Sequence, residues 1–311
     1  MALQRRSPLV ATSLSCIFLF LLFSVVGPTT AGKTGQLTVY WGRNKTEGSL
    51  REACDTGLYT TVIISFFSVF GHGKYWTDLA GHDASAVGAD VKHCQSKHIL
   101  VLLSIGGDGG GQYSLPTARS ARDVADHLWD AYLGGGRRGV FRPFGDAVLD
   151  GIDFYLDIRG MQDRHYGELA RSLASRQRRC RCGKVVRLTA SPPCAAVFDA
   201  EQQPLSALEK TGLLERLHVR FYGDGTCGYD YHELRPFWGA WNQWSSSRTT
   251  ATQLHLGLAA ADEFRGWIDP ETLRESVLPS VQDKPKYSGV VIWNRYYDKQ
   301  TGFGRAIRDA V

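Results

Sequence analysis

Short β-branched or apolar runs recur along the chain, and most are followed by a stretch with helical spacing. The runs are 37–42 (LTVYWG), 61–67 (TVIISFF), 99–107 (ILVLLSIGG), 151–157 (GIDFYLD), 185–191 (VVRLTAS), 216–222 (RLHVRFY), 253–260 (QLHLGLAA) and 289–296 (GVVIWNRY). Between them, segments such as 118–134 and 162–176 carry apolar residues three and four apart, the spacing of an amphipathic helix. Eight such units predict an α/β protein folded as a single (β/α)8 TIM barrel, closed by a last helix over 302–311. A doubly wound open sheet is the alternative, but no Gly-x-Gly-x-x-Gly opens a helix after the first run. The glycines of Gly106-Gly107 and Gly109-Gly110-Gly111 lack a following Lys-Ser/Thr, so they read as a close loop at the barrel mouth.

The N-terminus breaks the pattern. Arg5 and Arg6 precede an apolar run from Leu9 to Val26, and small residues follow at Thr29 and Ala31. This predicts a secretory signal over 1–31 and a barrel domain over 32–311. A membrane anchor competes, because the run nearly reaches spanning length. The Ser and Thr interruptions and the cleavable flank favour the signal, and no later segment is apolar enough to span. Cleavage removes Cys16 and leaves Cys54, Cys94, Cys180, Cys182, Cys194 and Cys227. An even set in a secreted chain predicts disulfides, with the pairing left open. Cys180-Arg181-Cys182 has no accompanying His or second Cys pair, so no metal site is expected. Asn44-Lys45-Thr46 is a glycosylation sequon.

Composition then narrows the class. The 311 residues are 43% apolar and 22% charged with 11 prolines, which excludes a disordered or collagen-like chain. Thirty-six Lys and Arg against 31 Asp and Glu give +5, too mild a charge to call for nucleic acid. The expected molecule is an extracellular monomer with no cofactor, no nucleic-acid partner and no membrane association.

Candidate chemistry sits on the fourth run, Asp150-Gly151-Ile152-Asp153-Phe154-Tyr155-Leu156-Asp157. Strand alternation turns Asp153, Tyr155 and Asp157 to one inward face. Buried acids are costly unless paired or functional. The plain reading is an ion pair closing a polar layer.

That segment and Ser104-Ile105-Gly106-Gly107 resemble the two signatures of family 18 glycoside hydrolases, in the class III plant chitinase branch. YWGRN at 40–44, EGSL at 47–50, FY at 221–222 and IWNRYYDKQTGF at 292–303 extend the resemblance along the chain. GKY at 73–75, GHD at 81–83 and VGADVKHCQSK at 87–97 are similar, more narrowly, to the xylanase inhibitor proteins of cereals. The resemblance implies an apoplastic protein of plant defence with disulfides Cys54–Cys94 and Cys194–Cys227. Asp83 and Asp90 stand where the cysteines of a third chitinase pair would be.

The family's active signature is Asp-x-x-Asp-x-Asp-x-Glu, and Asp150, Asp153, Tyr155 and Asp157 form a degenerate remnant of it. Asp157 replaces the acid and is one methylene short, a displacement that can cost about a hundredfold in rate. Tyr155 replaces the aspartate that steers the substrate's acetamido group. Arg220 stands where chitinases of this class usually carry glutamine, and a cation lowers the pKa that a general acid needs raised. The resemblance therefore implies a chitinase fold without efficient chitinase activity. Tyr222, Trp293 and Arg220 match cleft-lining positions, which keeps chito-oligosaccharide binding and weak or altered cleavage as alternatives.

A run of bases follows the fourth helix: Arg171, Arg176, Arg178, Arg179, Arg181, Lys184 and Arg187, with no acid among them. A solvated basic surface is the plain reading. The resemblance implies an inhibitory loop of Arg176, Arg178, Arg179 and Arg181, with Arg179 entering the cleft of a microbial family 11 xylanase. A retaining xylanase holds two carboxylates about 5 Å apart, and a guanidinium can bridge them through charge-assisted bonds. Glu263, where some relatives place a base, argues against family 10 xylanases.

Overall fold

The computed structural model describes Met1 and residues 33–107, 112–156, 165–180, 184–198, 203–223, 225–246, 250–251 and 253–311. Apart from Met1, the signal segment lies outside them, as do Asp157, Arg181 and Cys182.

The strands are β1 (Leu37–Trp41), β2 (Thr61–Val69), β3 (Trp76–Thr77), β4 (Leu100–Gly106), β5 (Gly151–Tyr155), β6 (Arg187–Ser191), β7 (Arg216–Arg220), β8 (Gln253–Ala259) and β9 (Tyr287–Trp293). Eight of them pair in parallel in the order β1-β9-β8-β7-β6-β5-β4-β2, and β1 pairs with β2 to close a barrel. The open-sheet alternative is thereby excluded. β3 is a short antiparallel addition to β2, with Phe67 opposite Thr77. The helices are α1 (Leu50–Asp55), α2 (Ala84–Ser96), α3 (Ala118–Tyr132), α4 (Tyr166–Cys180), α5 (Gln203–Glu209) and α6 (Arg235–Ser245), followed by α7 (Pro270–Thr272), which continues through a π turn into α8 (Leu278–Gln282). Then come α9 (Arg295–Thr301) and α10 (Phe303–Ile307).

The strands read as continuous apolar runs because both faces are covered. Alternation sends Val62 and Ile64 outward into the layer beneath the helices and Ile63 inward. Inside the barrel Ile63 joins a separate cluster with Tyr40, Phe66, Leu102, Tyr155 and Val291.

Several boundaries differ from the sequence reading by a few residues, and three of the differences have a plain local reason. The last strand stops at Trp293, because the Asn294 side chain accepts from the amides of Tyr296 and Tyr297 and caps α9. The expected closing helix over 302–311 is shorter, α10 at Phe303–Ile307, and Gly302 in the left-handed region (φ 71°) separates it from α9. Helix α4 runs on to Cys180, where the inhibitory loop was expected over 176–181. Arginine favours helix, and Arg178 and Arg179 lie at the helix's negative end.

The two expected disulfides are present, Cys54–Cys94 tying α1 to α2 and Cys194–Cys227 tying the segment after β6 to the one after β7. Cys180 is also disulfide-bonded. Asp83 and Asp90 take other roles: Asp83 caps α2 by accepting from the Ser85 amide, and Asp90 pairs with Arg51 at 3.2 Å.

Candidate functional site

Asp153 lies on the barrel axis, fully buried. It accepts from Ser104 Oγ at 2.8 Å, Thr189 Oγ1 at 2.7 Å, Ser191 Oγ at 2.9 Å and His218 Nδ1 at 3.1 Å. These donors come from β4, β6 and β7, the strands that flank β5 or lie one further on. Burial alone would raise the carboxyl's pKa, but His218, Thr189 and Ser104 hold it below the ordinary value. Burial pushes the His218 pKa down, so the imidazole is neutral and donates one proton to the carboxylate. The polar layer of the plain reading is present around Asp153, closed by hydrogen bonds rather than by the expected ion pair. The layer extends to Tyr40, whose hydroxyl bonds Ser191 Oγ. Ser104 on β4, Thr189 and Ser191 on β6 and His218 on β7 lie on separate runs, and only the closed barrel brings them together.

Two positions above, Tyr155 fills the mouth. Its ring lies 4.8 Å from Phe66, 6.0 Å from Trp293 and 6.1 Å from Tyr40 between centroids. The Arg220 guanidinium sits 3.9 Å over the same ring. Arg220 also donates through Nε to the Ser191 carbonyl at 3.2 Å and through Nη2 to the Leu156 carbonyl. Tyr222, just beyond the end of β7, stacks on Trp293 at 5.9 Å and 20°. Burial, with the nearby phenols of Tyr155 and Tyr40, raises the Tyr222 pKa well above its ordinary value. Thus Tyr155, Arg220, Tyr222 and Trp293 do converge, but on one another.

Asp150 does not join them. It precedes the first residue of β5, at the opposite end of the barrel, where it bonds the Val101 amide at 2.8 Å, Gln95 at 2.9 Å and Lys184 at 3.0 Å. A strand of five residues separates Asp150, just before it, from Tyr155 at its far end.

Beside the filled centre a groove of about 380 Å³ remains open, lined by Arg43, Phe66, Trp76, Asp78, Gly106 and Trp293 among others. Arg43 and Asp78 pair across it at 3.2 Å. Trp76 is 65% exposed there. Arg43 precedes Asn44, which caps the 3-10 turn Lys45–Glu47. Sequence reasoning missed this groove, because β3 is too short to leave a pattern.

At the other end, helix α4 brings its last turn level with the N-terminal ends of the strands. Arg176 is turned inward, donating from Nε to Asp126 of α3 at 2.6 Å and from Nη1 to the Ser172 carbonyl at 3.0 Å. Lys184 is spent on Asp150, Arg187 on Glu215 at 2.6 Å and Arg171 faces Glu168 at 3.8 Å. Arg178 and Arg179 are exposed and pair with nothing among the described residues. Among its described residues the basic run is therefore a mostly neutralised face with two outward guanidinium groups.

Residues 36–264 match the model of glycosyl hydrolases family 18. The chain belongs to this family. Among curated relatives, "Xylanase inhibitor protein 1" of Oryza sativa subsp. japonica is 51% identical over 99% of this chain and 98% of its own length. An "Acidic endochitinase" of Vitis vinifera is 37% identical over 94% of this chain and 97% of its own. Among solved structures, a xylanase and alpha-amylase inhibitor protein from Scadoxus multiflorus aligns with TM-score 0.80 at 34% identity, covering 89% of this chain and 98% of its own. Proteins named as inhibitors and as chitinases are thus both similar to this chain over most of its length, and a Tyr155–Arg220 stack fills the centre of its barrel mouth.

Proposed function

We propose that this family 18 protein is a secreted inhibitor of microbial family 11 xylanases in plant defence, monomeric and without chitinase activity. One observation carries the reading. Of the bases expected to form the inhibitory loop, Arg178 and Arg179 point into solvent from the end of a helix that Arg176 clamps to α3. A guanidinium held in this way loses little freedom when it enters a pair of catalytic carboxylates. The relatives named as xylanase inhibitors support it. The mouth supports the second half: Tyr155 occupies the place of the steering aspartate, and Arg220 lies over it. A glycan on Asn44 fits the same molecule, since its Oδ1 takes the Thr46 amide and hydroxyl at 3.0 and 2.8 Å.

The test is a titration of a family 11 xylanase with secreted protein and with Arg179→Ala. Inhibition that weakens at least about tenfold in the variant, and weakens with added salt, is expected. Absence of inhibition together with release of chito-oligosaccharide products would replace the reading with a chitinase. The open groove with its two tryptophans favours a second reading, sugar binding without cleavage, and chito-oligosaccharide binding lost in Trp76→Ala would support it.

A further inference from the structure

The connection between α3 and β5, residues 133–150, has no helix or strand, yet a single side chain fixes its shape. Arg142 donates to five backbone carbonyls, those of Asp130, Leu133, Gly135, Gly145 and Ala147, at 2.5 to 3.2 Å. Asp130 holds the other side, accepting from the amides of Gly136 and Arg137 at 3.2 and 3.3 Å and pairing with the Arg137 guanidinium at 3.3 Å. Phe144 is buried, and its carbonyl packs against Gly88 of α2 so closely that a Cβ there would lie 2.2 Å away. Within this fixed frame Phe141 is 79% exposed, and Arg138 is exposed beside it.

A ring held in water by a rigid backbone adds nothing to folding, and the burial it lacks here is available only in a complex. The segment also adjoins the arginine-bearing end of α4. Lys184, in the stretch that follows α4, donates to the Val148 carbonyl at 2.7 Å, and Val185 next to it is 65% exposed. Arg176 and Asp126 tie the two helices one turn higher. Arginines at 137, 138, 178 and 179 and two exposed apolar side chains therefore share one end of the barrel. An interface of about 800 Å² per partner is large enough to take both connections.

We propose that the 133–150 connection is a second arm of the xylanase-contacting surface. Phe141 is its apolar anchor and Arg138 its charge, set against the acidic rim of the enzyme cleft that Arg179 enters. The proposal rests on the inhibitor reading above. Aromatic and arginine side chains dominate protein interfaces energetically, and a preformed loop lowers the ordering cost of binding. Charge complementarity selects an acidic partner over a second copy of this basic end.

The experiment titrates a family 11 xylanase with wild type, Phe141→Ala, Arg138→Ala, Arg179→Ala and the Phe141→Ala/Arg179→Ala pair. Circular dichroism and the thermal midpoint accompany each variant. Phe141→Ala is expected to fold normally and to weaken inhibition about tenfold, with a loss that adds to that of Arg179→Ala. If Arg179→Ala weakens inhibition while Phe141→Ala stays within about twofold of wild type, the second arm is wrong and the inhibitor reading survives. If wild type does not inhibit, the inhibitor reading fails and this proposal with it. A wild-type dimer in sedimentation that Phe141→Ala dissociates would assign the ring to self-association instead.

Discussion

Tyr155 is the last residue of β5 and is buried at the barrel mouth. Here its ring is the centre of an aromatic cluster, and Arg220 lies on its face while donating to two carbonyls. The arginine is desolvated, and the neighbouring phenols and backbone oxygens compensate that cost. Truncation to Tyr155→Ala removes both the packing and the face under Arg220, and should destabilise by about 3 to 5 kcal/mol in urea unfolding. Tyr155→Phe keeps the ring and should cost only about 1 kcal/mol. Equal losses in the two variants would mean that the hydroxyl, not the ring, holds the mouth together. Sequence alternation was enough to turn Asp153 and Tyr155 inward. It could not give Asp153 its four donors, because they arrive from three other strands whose register is a property of the closed barrel.

Helix α4 carries the most informative element-level difference. The charge run looked like a loop because apolar periodicity fades after 176, yet arginine sustains the helix to Cys180 and the last carbonyls favour cations. That single extension divides the run into a clamp and an exposed pair. Arg176→Ala cuts the link to Asp126 in α3 and should lower stability by about 1 kcal/mol, since the pair is only partly buried. Its effect on xylanase inhibition should be smaller than that of Arg179→Ala in the same titration, and the reverse order would make Arg176 the contacting residue. The segment after β9 illustrates the other kind of miss. Its apolar run continues to Tyr296 in sequence, but an asparagine cap overrides the pattern and begins α9 at Arg295.

Over the whole molecule, the barrel axis sets the response to acid. Burial pushes the pKa values of His218 and His255 below that of a free imidazole, His255 strongly so, with Arg216 adding to the effect there. The unfolded chain then binds protons that the folded chain refuses, so stability falls as pH drops below about 6.5, by up to about 1.4 kcal/mol per unit per histidine. Asp153 acts lower down: its depressed pKa gives stability that is present above about 3.9 and is lost as pH falls through the folded-state value. Thermal midpoints recorded from pH 7 downwards should decline from about 6.5, and His255→Asn should flatten that decline whatever its midpoint at neutral pH. A wild-type midpoint level from pH 7 to 5 would contradict the neutral, buried histidines. Barrel closure and helix order were legible in the eight apolar runs, but the polar axis was not, because its members lie on separate runs and meet only when the sheet closes.

A filled mouth lies at one end of the barrel and the proposed contact surface at the other. The most direct test is the affinity of a family 11 xylanase, by calorimetry, for wild type, for the Arg178→Ala/Arg179→Ala pair and for Trp76→Ala at the mouth. Binding that falls about thirtyfold or more in the arginine pair and stays unchanged in Trp76→Ala is the predicted result. Binding that survives loss of both arginines, or that is lost with Trp76, would place the working surface at the mouth and rule out the α4 end.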